Sequence, residues 1–168
     1  MHDPVKQANE ANRQNKDSSM APAVSPDDAH FATEAASGGM MEVQLGQIAQ
    51  KSQDMEVKKF GAMMVADHNK ANNELKSIAA GKNITLPDSM SNEDQRMVDE
   101  LSKKSGKDFD KAYLDMMVND HNEDIAAFRK EADQGSDQGV KLFASNTLPV
   151  LQKHLDASKA AQKLVEGK

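Results

Sequence analysis

The chain has 168 residues, enough for one domain with a sizeable core, and its net charge of −6 comes without any basic cluster, which argues against nucleic acid as a partner. Aromatic residues make up only 4% while Met reaches 11, a balance that favours packed helices over sheets, and the absence of Cys excludes disulfides, thiolate metal sites and thiol nucleophiles. No stretch is apolar enough for a transmembrane segment or a signal core, although a removed signal peptide would leave no trace.

Residues 1–24 are polar and carry no sustained apolar stripe, so they read as a flexible leader ahead of a folded domain at 25–168. Ser25-Pro26-Asp27-Asp28 then supplies a cap, a proline at the first helical position and acids in the first turn. A first long helix is predicted from about 26 to 51, with Phe31, Ala35, Gly38, Met41, Glu42, Leu45 and Ile48 inward. Gly38-Gly39 in its middle costs about 1 kcal/mol per glycine relative to alanine, which the close approach of a neighbouring backbone would offset. After Ser52 to Asp54, a second long helix runs to about 80, with Gly81 as its C-cap. Leu86-Pro87-Asp88 cannot continue a helix, and Ser91 and Asp94 open a short capped one to about 104, with Met97, Val98 and Leu101 on its apolar side. A third long helix covers about 108–134 and a fourth about 137–165, the latter with a kink expected at Pro149. No strand pattern competes. The predicted fold is all-α, a four-helix bundle with a short crossover helix between the second and third long helices.

One phrase occurs twice. Met63-Met64-Val65-Ala66-Asp67-His68-Asn69 returns as Met116-Met117-Val118-Asn119-Asp120-His121-Asn122, differing only at the fourth position. Each copy lies on an apolar stripe of helical period: Phe60, Met64, His68, Ala71, Leu75 and Ile78 in one, Phe109, Tyr113, Met117, His121, Ile125 and Phe128 in the other. Setting Phe31 on Phe109 brings Glu42 onto Asp120, and setting Val57 to Phe60 on Val140 to Phe143 places His154 one turn beyond His68. The chain thus reads as two copies of one helical hairpin.

Glu42, His68, His121 and His154 each fall near the middle of a long helix, so they share one level of a bundle whichever way each helix points. Three imidazoles and a carboxylate at one level form a ligand set for a divalent metal such as zinc or iron, with Asp67 and Asp120 as further ligands or as acceptors that fix the imidazole tautomers. Affinity is then expected to fall as pH drops below about 6.5, because only neutral imidazoles bind metal. The alternative makes the histidines buried structural pegs of a non-catalytic structural or stress-related interaction module. The Met pairs read as core filling, and Glu93-Asp94 and Glu123-Asp124 as solvated faces. A hydrolase is disfavoured because no nucleophile stands in a recognisable setting.

The stretch from Phe31 to Gly46, the two Met-Val-x-Asp-His phrases, Leu86-Pro87 and the run from Leu148 to Leu155 together resemble the bacterial domain of unknown function family 4142 over about 30–165. The resemblance implies a ferritin-like bundle exported to the periplasm or held at the outer membrane, sometimes as a lipoprotein. Membrane tethering would then act through a removed N-terminal signal or lipid anchor, and it leaves a homodimer open. The di-iron ferritin pattern is absent: Val65, Val118 and Leu151 occupy the position three before each histidine where Glu-x-x-His would need a glutamate, which argues against ferroxidase or oxygen chemistry.

Overall fold

In a computed structural model describing residues 2–18 and 24–168, six helices follow one another: α1 (Pro4–Ser18), α2 (Pro26–Ala49), α3 (Met55–Gly81), α4 (Asn92–Ser102), α5 (Gly106–Gln134) and α6 (Gln138–Glu166). No strand occurs among the described residues. Short polar side chains start most of the helices by accepting otherwise unpaired amide hydrogens. Ser25 Oγ accepts from Asp28 N at 3.1 Å, Asp54 Oδ1 from Glu56 N at 2.9 Å, Ser91 Oγ from Asp94 N at 3.1 Å and Asp137 Oδ2 from Val140 N at 3.0 Å. α5 has no such side chain; its first residue is Gly106, at φ +57°. Gly81 ends α3 from within the helix, and the left-handed residue beyond it is Asn83, φ 57°, not the glycine expected to cap. α6 runs as one helix through Pro149.

The short connections make α2 and α3 one antiparallel hairpin and α5 and α6 another. α2 packs mainly on α3 and α5 mainly on α6, while contacts of α3 with α6 and of α2 with α5 close the ring; α4 lies against α2 and α5. The stripes predicted for α3 and α5 are buried, apart from the half-buried Ala71 and Ile78. The expected close approach of backbones exists at a different glycine pair. A Cβ on Gly38 would meet nothing within 4 Å, and one on Gly39 would strike only the Asn72 side chain. Instead Gly46 and Gly61 let α2 and α3 touch main chain to main chain, since a Cβ on Gly61 would stand 2.7 Å from Gly46 O.

The leader differs from its sequence reading. Pro4–Ser18 is a helix docked on α2, with Val5 and Ala8 buried; residues 19–23 lie outside those described. Asp3 Oδ1 accepts from the amides of Val5 and Lys6, and Asp3 Oδ2 from Asn92 N at 2.9 Å. Asn9 Oδ1 accepts from the Thr33 hydroxyl at 2.7 Å, and Asn12 both donates to Thr85 O and accepts from Thr85 N. The docking face is Val5, Ala8, Asn9 and Asn12, a helical stripe whose second half consists of satisfied amides. A search for apolar residues passes over it.

The apolar core comes in two clusters. One contains Leu45 of α2, Phe60 and Met64 of α3, Tyr113 and Met117 of α5, and Val165 of α6. The other contains Phe31 and Ala36 of α2, Leu75 of α3, Ile125 and Phe128 of α5, and Phe143 and Leu151 of α6. All four of Glu42, His68, His121 and His154 are buried; His68 and His121 fall between the two clusters along their helices, while Glu42 lies at the edge of the first, just past Met41, and His154 at the edge of the second, just before Leu155. A polar layer therefore crosses the helices between two apolar ends.

Candidate metal centre

Each long helix contributes one member of that layer: Glu42 from α2, His68 from α3, His121 from α5 and His154 from α6. His121 and His154 are fully buried, and His68 is 6% exposed. The repeated phrase places His68 and His121 on the buried stripes of two helices, which is why both reach the same depth. The ligand-capable nitrogens of the three imidazoles lie within 4.8 Å of one another, and one oxygen each of Glu42 and Asp120 lies within 4.8 Å of a nitrogen of His121.

The hydrogen bonds fix which nitrogen of each ring carries its hydrogen. His121 Nδ1 is 2.8 Å from Met117 O, and a carbonyl can only accept, so the hydrogen sits on Nδ1 and Nε2 bears a lone pair. His154 Nε2 is 2.8 Å from Asp67 Oδ2, so it donates there and leaves the lone pair on Nδ1. These two bare nitrogens, His121 Nε2 and His154 Nδ1, face each other at 3.3 Å. With Glu42 ionised, His68 Nδ1 donates to its Oε2 at 2.9 Å, and His68 Nε2 has no partner. Three lone pairs thus point into one buried space, each ring held from behind by an acceptor. Burial drives all three imidazoles toward the neutral form: His68 titrates at about 4, His154 at about 4, and His121, also beside His68, at about 3.

Carboxyl groups gather on the other side of Glu42. Its Oε1 has no partner and stands 3.6 Å from His121 Nε2. An oxygen of Asp120 lies within 4.8 Å of an oxygen of the same carboxyl, and Asp124 lines one cavity with both. Burial first, and then mutual repulsion, raise the pKa of Glu42 well above the usual carboxylate range; Asp120 and Asp124 are raised as well, in each case chiefly by burial.

The structure brings all six sequence-nominated residues to this layer and divides their positions. Asp67 reaches across to α6 and holds His154, whereas Asp120 turns toward Glu42. Asp124 was missed: it reads as a solvated face, but it is half-buried and lines one cavity with Glu42. The signal available was its spacing, four residues after Asp120 and three after His121, which sets all three on adjacent parts of one helix face.

A helical protein with a buried histidine and carboxylate layer is the class that these helices and this site define. The chain belongs to the family of the domain of unknown function DUF4142, whose model matches residues 13–161. No curated protein and no solved structure matches it.

Proposed function

We propose that the protein binds a divalent metal, zinc or iron, with His68 Nε2, His121 Nε2 and His154 Nδ1 as nitrogen ligands and Glu42 Oε1 as the fourth donor. In this reading the four long helices form a ferritin-like bundle, α4 is its crossover, and the protein stores or buffers the ion. The observation that carries it is the 3.3 Å approach of two nitrogens that both lack hydrogen. Two lone pairs at that distance repel unless a cation lies between them. Two nitrogens each 2.0–2.1 Å from one tetrahedral zinc stand about 3.3–3.4 Å apart. Asp67 and the Met117 carbonyl then orient the rings, and Asp120 faces Glu42.

Thermal unfolding with and without zinc tests the reading on wild type and His121→Ala. A ligand that binds only the folded state stabilises it by about 2.7 kcal/mol at a hundredfold excess over Kd, so the wild-type midpoint should rise by several degrees and the variant's should not. An unmoved wild-type midpoint, or equal rises in both, would leave the histidines as structural pegs. Export to the periplasm or outer membrane belongs to the same proposal. Its support is family membership, and cell fractionation of the natural precursor tests it.

A further inference from the structure

A cavity of about 240 Å³ lies among the four long helices and α4 and joins the surface to the histidine layer. His68, whose buried Nε2 has no partner, lines it on the inside; Glu34, Glu93 and Glu123, all exposed, line it on the outside. Neither Lys nor Arg lines it. Gly38, half-buried in the middle of α2, is part of the wall, and a Cβ there would meet nothing within 4 Å. Glycine inside a helix is costly, and no neighbouring backbone accounts for this one. α4 supplies part of the outer wall through Glu93 and Met97, and it is fixed in place: the buried Ser37 hydroxyl donates to Asp94 and accepts from Ser91 N at 2.8 Å. The approach to the layer past Asp67 is different. There the first imidazole nitrogen is His154 Nε2, whose hydrogen is donated to Asp67, and the Lys153 ammonium stands 4.0 Å from the same carboxylate oxygen. A cation arriving on that side meets a positive charge and a nitrogen without a free lone pair.

We propose that this cavity is the entry passage for the metal: a divalent cation is drawn in by the acidic mouth, passes Gly38 and reaches His68 Nε2, with α4 as the fixed outer wall. This rests on the reading of the layer as a metal centre and adds how the ion arrives. His121 and His154 are fully buried and His68 is 6% exposed, so an ion needs a route between the helices. The cavity offers one whose charge has a single sign, and a cleft of that kind focuses the field and concentrates the opposite ion at its mouth. Gly38 then has a reason to be glycine, since a larger side chain projecting there would fill the passage. Charge and width act on different steps. The mouth sets how often an ion arrives, whereas Gly38 sets how readily it moves in either direction, so narrowing the passage slows entry and exit alike and leaves the affinity to the ligands.

Stopped-flow exchange of zinc between a chromogenic chelator and the full-length protein tests the passage. Gly38→Leu should slow association and dissociation by the same factor, at least about tenfold, and leave Kd within about threefold of wild type. A triple variant, Glu34→Gln with Glu93→Gln and Glu123→Gln, alters only exposed side chains; it should slow association severalfold and flatten its dependence on ionic strength. Lys153→Gln should change association less than the triple variant does. A retained melting transition verifies that each variant is folded. If wild type takes up no zinc, the metal reading fails, and the passage itself is read with a probe that needs no ion. Diethyl pyrocarbonate acylates neutral imidazole, and peptide mass spectrometry should then show His68 modified more slowly in Gly38→Leu than in wild type. The proposal is overturned if zinc uptake is undiminished in either folded variant, if Lys153→Gln speeds uptake more than the triple variant slows it, or, in protein that binds no zinc, if His68 of Gly38→Leu is modified no more slowly than that of wild type.

Discussion

His154 is held at Nε2 by Asp67, with its Nδ1 facing His121 Nε2, and this makes Asp67 a lever on the whole layer. In Asp67→Ala the His154 hydrogen is free to move to Nδ1, where it can be donated to His121 Nε2. The repulsion between lone pairs becomes a hydrogen bond. Zinc affinity should therefore fall about 10–100-fold by calorimetric titration, while the metal-free protein keeps its melting temperature or gains slightly. A large drop in metal-free stability would show that Asp67 supports the fold and not the tautomer. Glu131 gives an independent prediction away from the layer. Burial, then the hydrogen bond and charge of Asp28, raise it to about 7, so between its unfolded value near 4.5 and about 7 the folded state holds more protons than the unfolded one. Stability is thus lost as pH rises through that window. Glu131→Gln should melt roughly 2–4 °C above wild type at pH 8, with the difference closing toward pH 5.

Helix packing turns on which glycines a neighbour touches. Gly61→Ala would put a Cβ 2.7 Å from both Gly46 O and Ala49 Cβ, wedging α2 from α3, and should cost about 1–3 kcal/mol in denaturant unfolding. Gly38→Ala meets nothing within 4 Å and should instead stabilise by about 0.5–1 kcal/mol. These two glycines also mark where the sequence is legible. Long helices, their caps and the buried stripes follow from local pattern, and the repeated phrase discloses the histidine layer because period and depth are both properties of one helix. Which glycine faces a neighbour depends on how two helices cross, and no single helix encodes that. The same limit hid Asp124, which lines one cavity with Glu42 of α2. It also hid α1, whose amides are satisfied by residues as distant in the chain as Thr85. Because that helix is bonded to α2 and to the segment before α4, limited proteolysis should cut within 4–18 much more slowly in wild type than in Asn12→Ala. Equal rates would mean that its docking is weak.

For the molecule as a whole, the buried imidazoles dictate how metal-free protein responds to acid. Unfolded histidines take up protons near pH 6.5, whereas His68 and His154 do so at about 4 and His121 at about 3 when folded. The unfolded state holds more protons in between, so stability should decline continuously from pH 6.5 toward about 4. The expected onset of proton competition for the metal moves down correspondingly from the ordinary histidine value. Melting temperatures of chelator-treated protein at several pH values test this; a flat profile between 6.5 and 4.5 would contradict it.

The division of the core by the polar layer has a consequence for cooperativity. Each long helix runs from one apolar cluster to the other, and the layer where it crosses holds one conditional contact, His121 Nε2 against His154 Nδ1, which is repulsive without a cation and would be cohesive with one. Without metal, the two ends of the molecule are joined by helix continuity and by the His68–Glu42 and His154–Asp67 bonds, with that repulsion between them, so they should open as separate units in hydrogen exchange. With metal, four helices are tied at one point, and amides in both ends should exchange through a common opening event of higher free energy. A bound ion would then do more than add stability: it would make one folding unit out of two.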